Sequence, residues 1–389
     1  MKFSKIYIGI LFGVTLVSCS DDDTTPSIQT PDTYTFTRDG ASTVSFSGQT
    51  TRIAMTHELG TAIKDETKSK AELLAMFDHA EGDADFSDAD LNASDKNIRS
   101  KTAASSDYFS DNATDAAEIK AQIDTWIGNQ HDEVFPQWEA SASAGMAGQM
   151  ADGTSTRYVS AEGIEYNQVI AKSLIGALFA DQILNNYLSN SVLDESTNVE
   201  DNDAEVLAEG KTYTTMEHKW DEAYGYVYGG TDDDPSYLLN YIGSVDGNEN
   251  YTGIAKTIED AFILGRAAIV AKNYTVRDTQ VEIIRENVSK VIAVRAVHYL
   301  QGGKDLLETQ EFGGAFHDLS EGLGFVYSLQ FTRKPNTNSP YFSKEDVEEF
   351  VDDILANENG LWNASSTTLD EVSQEIVDAF GLVMAEAAQ

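Results

Sequence analysis

Cysteine is almost absent from this chain. Of 389 residues only Cys19 is one, so no internal disulfide braces the fold. Basic side chains are scarce too: 26 Lys and Arg stand against 65 Asp and Glu, a formal charge of −39. A surface of that sign repels nucleic acid and anionic lipid, and it suits cations, cationic substrates or a basic receptor face. Familiar catalytic spacings are missing: there is no His-Glu-x-x-His, no Gly-x-Ser-x-Gly and no P-loop. The apolar run Ile6 to Val17 is too short to span a membrane.

What is present begins with an export address. Lys2 and Lys5 precede the apolar run, which ends in Leu16-Val17-Ser18-Cys19. A basic start, a short apolar core and a small residue before the cleavage point make a secretory signal over residues 1–18. Leu-Val-Ser-Cys also resembles the lipobox of bacterial lipoproteins, which implies cleavage before Cys19 and lipid attachment to it. The membrane is then a partner through that lipid. Ser20-Asp21-Asp22-Asp23 resembles an acidic tag that sends some Gram-negative lipoproteins to the cell surface. The expected location is the outer membrane, facing outward. Residues 19–33, rich in Asp, Thr, Ser and Pro, read as a flexible tether. Loss of Lys2 and Lys5 makes the mature chain more negative still.

Residues 34–389 read as one all-α domain of two packed helical-bundle halves with a small N-terminal β-hairpin. The hairpin signal is period-two alternation around Asp39-Gly40 within Tyr34–Gly48. The halves are about 50–190 and 250–389, joined by 191–249. Helices are expected over Thr51–Phe77, broken near Asp65–Lys70, and over Thr114–Trp126 and Ala161–Leu188. Others are expected over Asn250–Lys272, Thr279–Tyr299, Lys344–Leu355 behind a Ser343 cap, and Thr367–Ala385. Gly302-Gly303 is expected to break a helix, and Gly145–Gly153 is a small-residue segment. Residues 78–111 read as loop, yet Leu91–Ala103 departs from its acidic composition with three bases, Lys96, Arg99 and Lys101. Asp232-Asp233-Asp234 reads as a solvated turn, since the rest of a calcium loop is missing.

The stretch Met216 to Gly229 concentrates chemistry. At about 100° per residue, His218, Asp221, Glu222 and Gly225 form one stripe, and Met216, Trp220, Ala223, Tyr224 and Val227 form the other. Thr214 with Glu217 fits a capping box. The polar stripe is either a solvated, well-capped face or a hard-metal or proton-transfer face. Asp181 lies within the apolar stripe of its helix, and Arg295 and His298 within that of theirs. Such residues need partners; each finds a structural one, or they share a site. The second alternative predicts that Asp181, Arg295 and His298 meet His218, Asp221 and Glu222.

Several segments carry a resemblance: Leu91–Thr102, Gly163-Ile164-Glu165-Tyr166 through Asp181-Gln182, and Glu217–Tyr226. They look like an uncharacterised bacterial lipoprotein family similar to the imelysin-like proteins. That likeness implies an all-helical fold with two bundle-like halves and a cleft, a link to iron acquisition, and a peptidase activity. The family signature, Gly-x-His-x-x-Glu on a helix, places its histidine on His218 and its glutamate on Asp221. Met216 stands in place of the glycine, and Asp221 is shorter than glutamate.

The resulting expectation is a lipid-anchored iron-binding or iron-uptake accessory protein. Its metal ligands would be His218, Asp221, Glu222, Asp181 and His298, supported by Glu217 and Arg295, with iron or another divalent metal as cofactor. A metallopeptidase is one alternative. A non-catalytic partner of an outer-membrane receptor is the other.

Overall fold

The structure, a computed structural model, describes residues 28–389. The leader and Cys19 lie outside them. The hairpin forms at the expected turn: β1 (Thr37–Arg38) pairs antiparallel with β2 (Ala41–Ser42). Asp39 and Gly40 both take positive φ, 53° and 82°, as a two-residue hairpin turn requires. A second hairpin, β3 (Gly148–Asp152) with β4 (Ser155–Val159), was not expected from the small-residue reading of 145–153. Its turn residue Gly153 sits at φ 55°, and Tyr158 stacks on Trp138 at 3.5 Å. That aromatic contact comes from outside the segment, so local composition does not announce it.

Among the described residues everything else is helix and loop. α1 (Ser47–Ala62) and α2 (Lys70–Phe77) are separated where the sequence breaks, and a Ser69–Glu72 capping box starts α2. α3 spans Ala113–Asn129. α4 (Tyr166–Leu174) runs on as a π-type helix through Ile175–Tyr187. α5 (Thr215–Tyr228) starts at the expected Thr214–Glu217 capping box. α6 (Tyr237–Asp246), α7 (Ile254–Val270) and α8 (Tyr274–Glu308) follow. α9 is Phe312–Ser328, α10 is Lys344–Leu355 behind its Ser343 cap, and α11 is Ser366–Phe380. Among the described residues no helix is long and apolar enough to cross a membrane.

Gly302-Gly303 does not end α8, which continues to Glu308. The reason is packing. A Cβ on Gly303 would meet Leu319 Cγ at 2.6 Å, and one on Gly302 would meet Asp318 Oδ2 at 2.9 Å. These glycines let α9 lie close against α8, and that burial outweighs the helix penalty of glycine, about 1 kcal/mol each.

Helices from both sequence halves share one continuous apolar core. One close seam joins α4 to α9. A Cβ on Gly324 would meet Lys172 Cβ at 2.5 Å, and one on Gly176 would meet Ser328 at 2.6 Å. Hydroxyls stitch the seam: Ser328 Oγ accepts from Gly176 N at 3.0 Å and donates to the Lys172 carbonyl at 2.7 Å.

Candidate functional site

The expected metal face of α5 is occupied by protein cations. Arg266 on α7 has no exposed side-chain surface, and its Nε donates to Asp221 Oδ1 at 2.9 Å. Its Nη1 donates to Glu217 Oε1 at 3.0 Å, which also accepts from Arg38 Nη2 at 3.0 Å. The Tyr34 hydroxyl and Ser45 N–H complete Asp221, at 2.7 and 3.2 Å. Burial raises the Asp221 pKa, and Arg266 opposes it. Burial also disfavours ionised Glu217, but Arg266 and Arg38 outweigh it and hold its pKa below the usual carboxylate value. This network clamps residues 34–45 onto α5 and α7.

Of the other expected ligands, His218 and Glu222 face each other along α5, while Asp181 and His298 take partners elsewhere. His218 Nδ1 donates to the Ser45 carbonyl at 3.0 Å, and its Nε2 is 4.0 Å from Glu222. Asp181 Oδ2 accepts from Ala104 N and Ser105 N at 2.9 and 3.0 Å, pinning that loop to the helix. Burial pushes its pKa up to about 6. His298 Nδ1 donates to the Gln389 carbonyl, and Arg295 Nη1 to Ser244 Oγ. The proposed convergence therefore does not occur. The two buried carboxylates found nearer partners, backbone N–H groups for Asp181 and Arg266 for Asp221, and needed no shared ion. Among the described residues no group of three His, Cys, Asp or Glu side chains could hold a metal.

A different constellation lies where α4, α6, α8 and α9 meet. Glu165 precedes α4, and its N–H is fixed by Ser320 Oγ at 2.8 Å. Its Oε2 accepts from His317 Nδ1 at 2.7 Å. His317 Nε2 faces Glu321 Oε1 at 3.4 Å, one helical turn along α9. Glu321 also takes Lys172 Nζ at 3.0 Å and the Tyr241 hydroxyl at 3.1 Å. Burial works against ionised Glu321, yet Lys172 and its hydrogen bonds hold its pKa below normal. Neighbouring Asp318 has its pKa raised to about 6 by burial. The seam glycine Gly324 is what brings Lys172 within reach of α9.

Arg295 borders this centre. It is 8% exposed, lies 4.3 Å from the Tyr299 ring centre and 5.3 Å from that of Tyr241, and leaves its Nε without a hydrogen-bond partner. No carboxylate lies within ion-pair distance of it among the described residues. Thus Arg295 belongs with His317 rather than with His218.

The donor set does not fit a metal. Glu165 and Glu321 approach opposite nitrogens of one imidazole, so their oxygens diverge, and Lys172 already supplies the cation beside Glu321. Sequence reasoning missed His317, Glu321, Lys172 and Asp318. The available signal was His317 and Glu321 at i, i+4 on a glycine-rich helix, with Glu165 in the segment 163–166.

A family model described as "Domain of unknown function (DUF4856)" matches residues 31–383. No curated protein matches, and no solved structure matches.

Proposed function

We propose, from the premise that the chain belongs to the DUF4856 family, that it is a metal-independent binding protein of the cell envelope. Its ligand is a small zwitterion of the amino-acid type, held at the His317 centre. The observation that carries this reading is Arg295, a buried guanidinium with an orphaned Nε and, among the described residues, no carboxylate within ion-pair distance. A buried charge left unpaired is costly, and a ligand carboxylate would pair it bidentately. Asp318 on α9, which feels the charge of Arg295 without pairing with it, offers an anion to the ligand's ammonium group. Tyr241 and Tyr299 supply flat walls for the body of the ligand.

The segment 163–166, which carries part of the imelysin likeness, supplies Glu165 and supports placing the working site here. The basic start, apolar run and Cys19 support export and a lipid tether. The likeness supports iron as an alternative cargo, but the divergence of Glu165 and Glu321 about His317 weighs toward the organic ligand.

Calorimetric titration of chelator-treated protein with free L-amino acids, their N-acetyl forms and their amides tests the proposal. Free amino acids should bind, both blocked forms should bind more weakly, and Arg295→Gln should lower affinity at least tenfold. No binding by any of them, or binding that returns only with added metal, would overturn it.

A further inference from the structure

The bases of Leu91–Ala103 find a role in a second site. Lys101 ends a short turn, Arg99–Lys101, that sits against the end of the π-type helix. Its Nζ lies 5.5 Å from the centre of the Tyr187 ring, and Lys219 Nζ on α5 lies 5.8 Å from the same ring. Arg52 on α1 is buried and uses its guanidinium on two backbone carbonyls, Asn97 and Gly48. Gly48 leaves room beside it: a Cβ there would meet Lys96 Cε at 3.2 Å and Arg52 Nη1 at 3.6 Å. Four cations thus gather in a chain whose acids outnumber its bases by more than two to one.

Their neutralisation is incomplete. Glu222 is the acid facing the group from α5, and it is shared: Lys219 is 3.7 Å from it, His218 is 4.0 Å, and Gln49 Nε2 donates to it at 3.2 Å. Lys96 pairs with Asp95. Lys101 Nζ has no ion pair or hydrogen bond among the described residues, and neither Arg52 nor Lys101 touches a carboxylate. Burial and the nearby Arg52 both depress the Lys101 pKa, as expected where like charges crowd. A second observation comes from Tyr226. Its hydroxyl is fully buried against Arg52, and Arg52 and Glu222 are the charges that act most strongly on it. An acidic protein with surplus carboxylates could pair these cations. It leaves Lys101 and Lys219 gathered about the Tyr187 ring with Glu222 as their shared acid instead.

We infer that Arg52, Lys101 and Lys219 form a binding site for a phosphate group. A dianionic oxyanion matches two or three convergent cations better than a single carboxylate does. Lys96 stands at the rim, and Tyr187 forms one wall. The site is separate from the Arg295 centre and does not rest on the reading given for it.

The test uses the whole chain with inorganic phosphate and glycerol 3-phosphate as soluble probes, and vesicles containing phosphatidylglycerol as the lipid probe. Calorimetry at low and moderate salt should show saturable binding that weakens as salt rises. Lys101→Gln should lower affinity at least tenfold, Lys101→Arg should restore most of it, and Arg295→Gln should leave it unchanged. In the unaltered protein, phosphate should slow acetylation of Lys101, read by mass spectrometry, relative to exposed lysines such as Lys256. Response to the soluble probes assigns a free phosphate compound, and response to vesicles alone assigns a lipid headgroup. Absence of binding to all three probes, or equal acetylation of Lys101 with and without phosphate in protein that binds it, would overturn the site.

Discussion

Arg266 Nε holds Asp221 Oδ1 at 2.9 Å with both side chains excluded from solvent. This one pair turns the expected ligand face of α5 into a structural clamp, because the buried carboxylate is already neutralised by a guanidinium and held by a tyrosine and an amide.

Removing the cation should therefore hurt more than removing the pair. Arg266→Met strands Asp221 and Glu217 in the interior and should cost roughly 3–5 kcal/mol. Arg266→Met combined with Asp221→Asn and Glu217→Gln should recover much of that loss. Urea unfolding of the two variants measures both. Equal stability would show that the clamp is not a charge network.

Asp181 predicts a pH signature. Its folded pKa, about 6, lies above that of an unfolded aspartate, about 3.9. The folded state then holds the proton more tightly. The stabilisation is fully present below about pH 4 and is lost as pH rises through about 6. Asp181→Asn should be flatter than the parent across that window, by about 2–3 kcal/mol. Denaturant midpoints of both proteins at pH 4.5 and 7 provide the difference.

Gly324→Ala should separate α4 from α9. The new Cβ meets Lys172 Cβ at 2.5 Å and the Val169 carbonyl at 2.8 Å, and a backbone atom cannot swing aside. A loss of roughly 1–3 kcal/mol is expected from overpacking. Because Lys172 moves with α4, affinity for the ligand at the His317 centre should fall as well. Thermal melting and calorimetry read the two effects separately.

Chelation should leave the melting temperature of the protein unchanged, since its buried carboxylates are paired by arginine, lysine and backbone N–H groups. His218→Gln should cost only about 1 kcal/mol, the worth of its bond to the Ser45 carbonyl. A large chelator-dependent drop in melting temperature, absent in His218→Gln, would restore the metal face.

Much of the fold was legible along the chain. The hairpin at Asp39-Gly40, the break between α1 and α2, and the caps at Thr214 and Ser343 are local events within a few residues, so their signals sit side by side. The Gly302-Gly303 break was misjudged because glycine's helix penalty is local while its packing gain depends on α9. The second hairpin was hidden for a similar reason, its Tyr158 stacking on Trp138 from a preceding turn.

The candidate site was legible only in pieces. That Asp181, Arg295 and His298 are unusual on apolar stripes could be read directly, and so could the odd basic run around Lys101. Which partner each would take could not. Tyr34 meets Asp221 from 187 residues away, and His317 meets Glu165 from 152. The amino-acid order determined where helices begin, where the chain turns and which charges would need company. Only the tertiary structure decided the pairings, because a buried charge settles on whichever donor packing brings within about 3 Å, and packing is a property of the whole core.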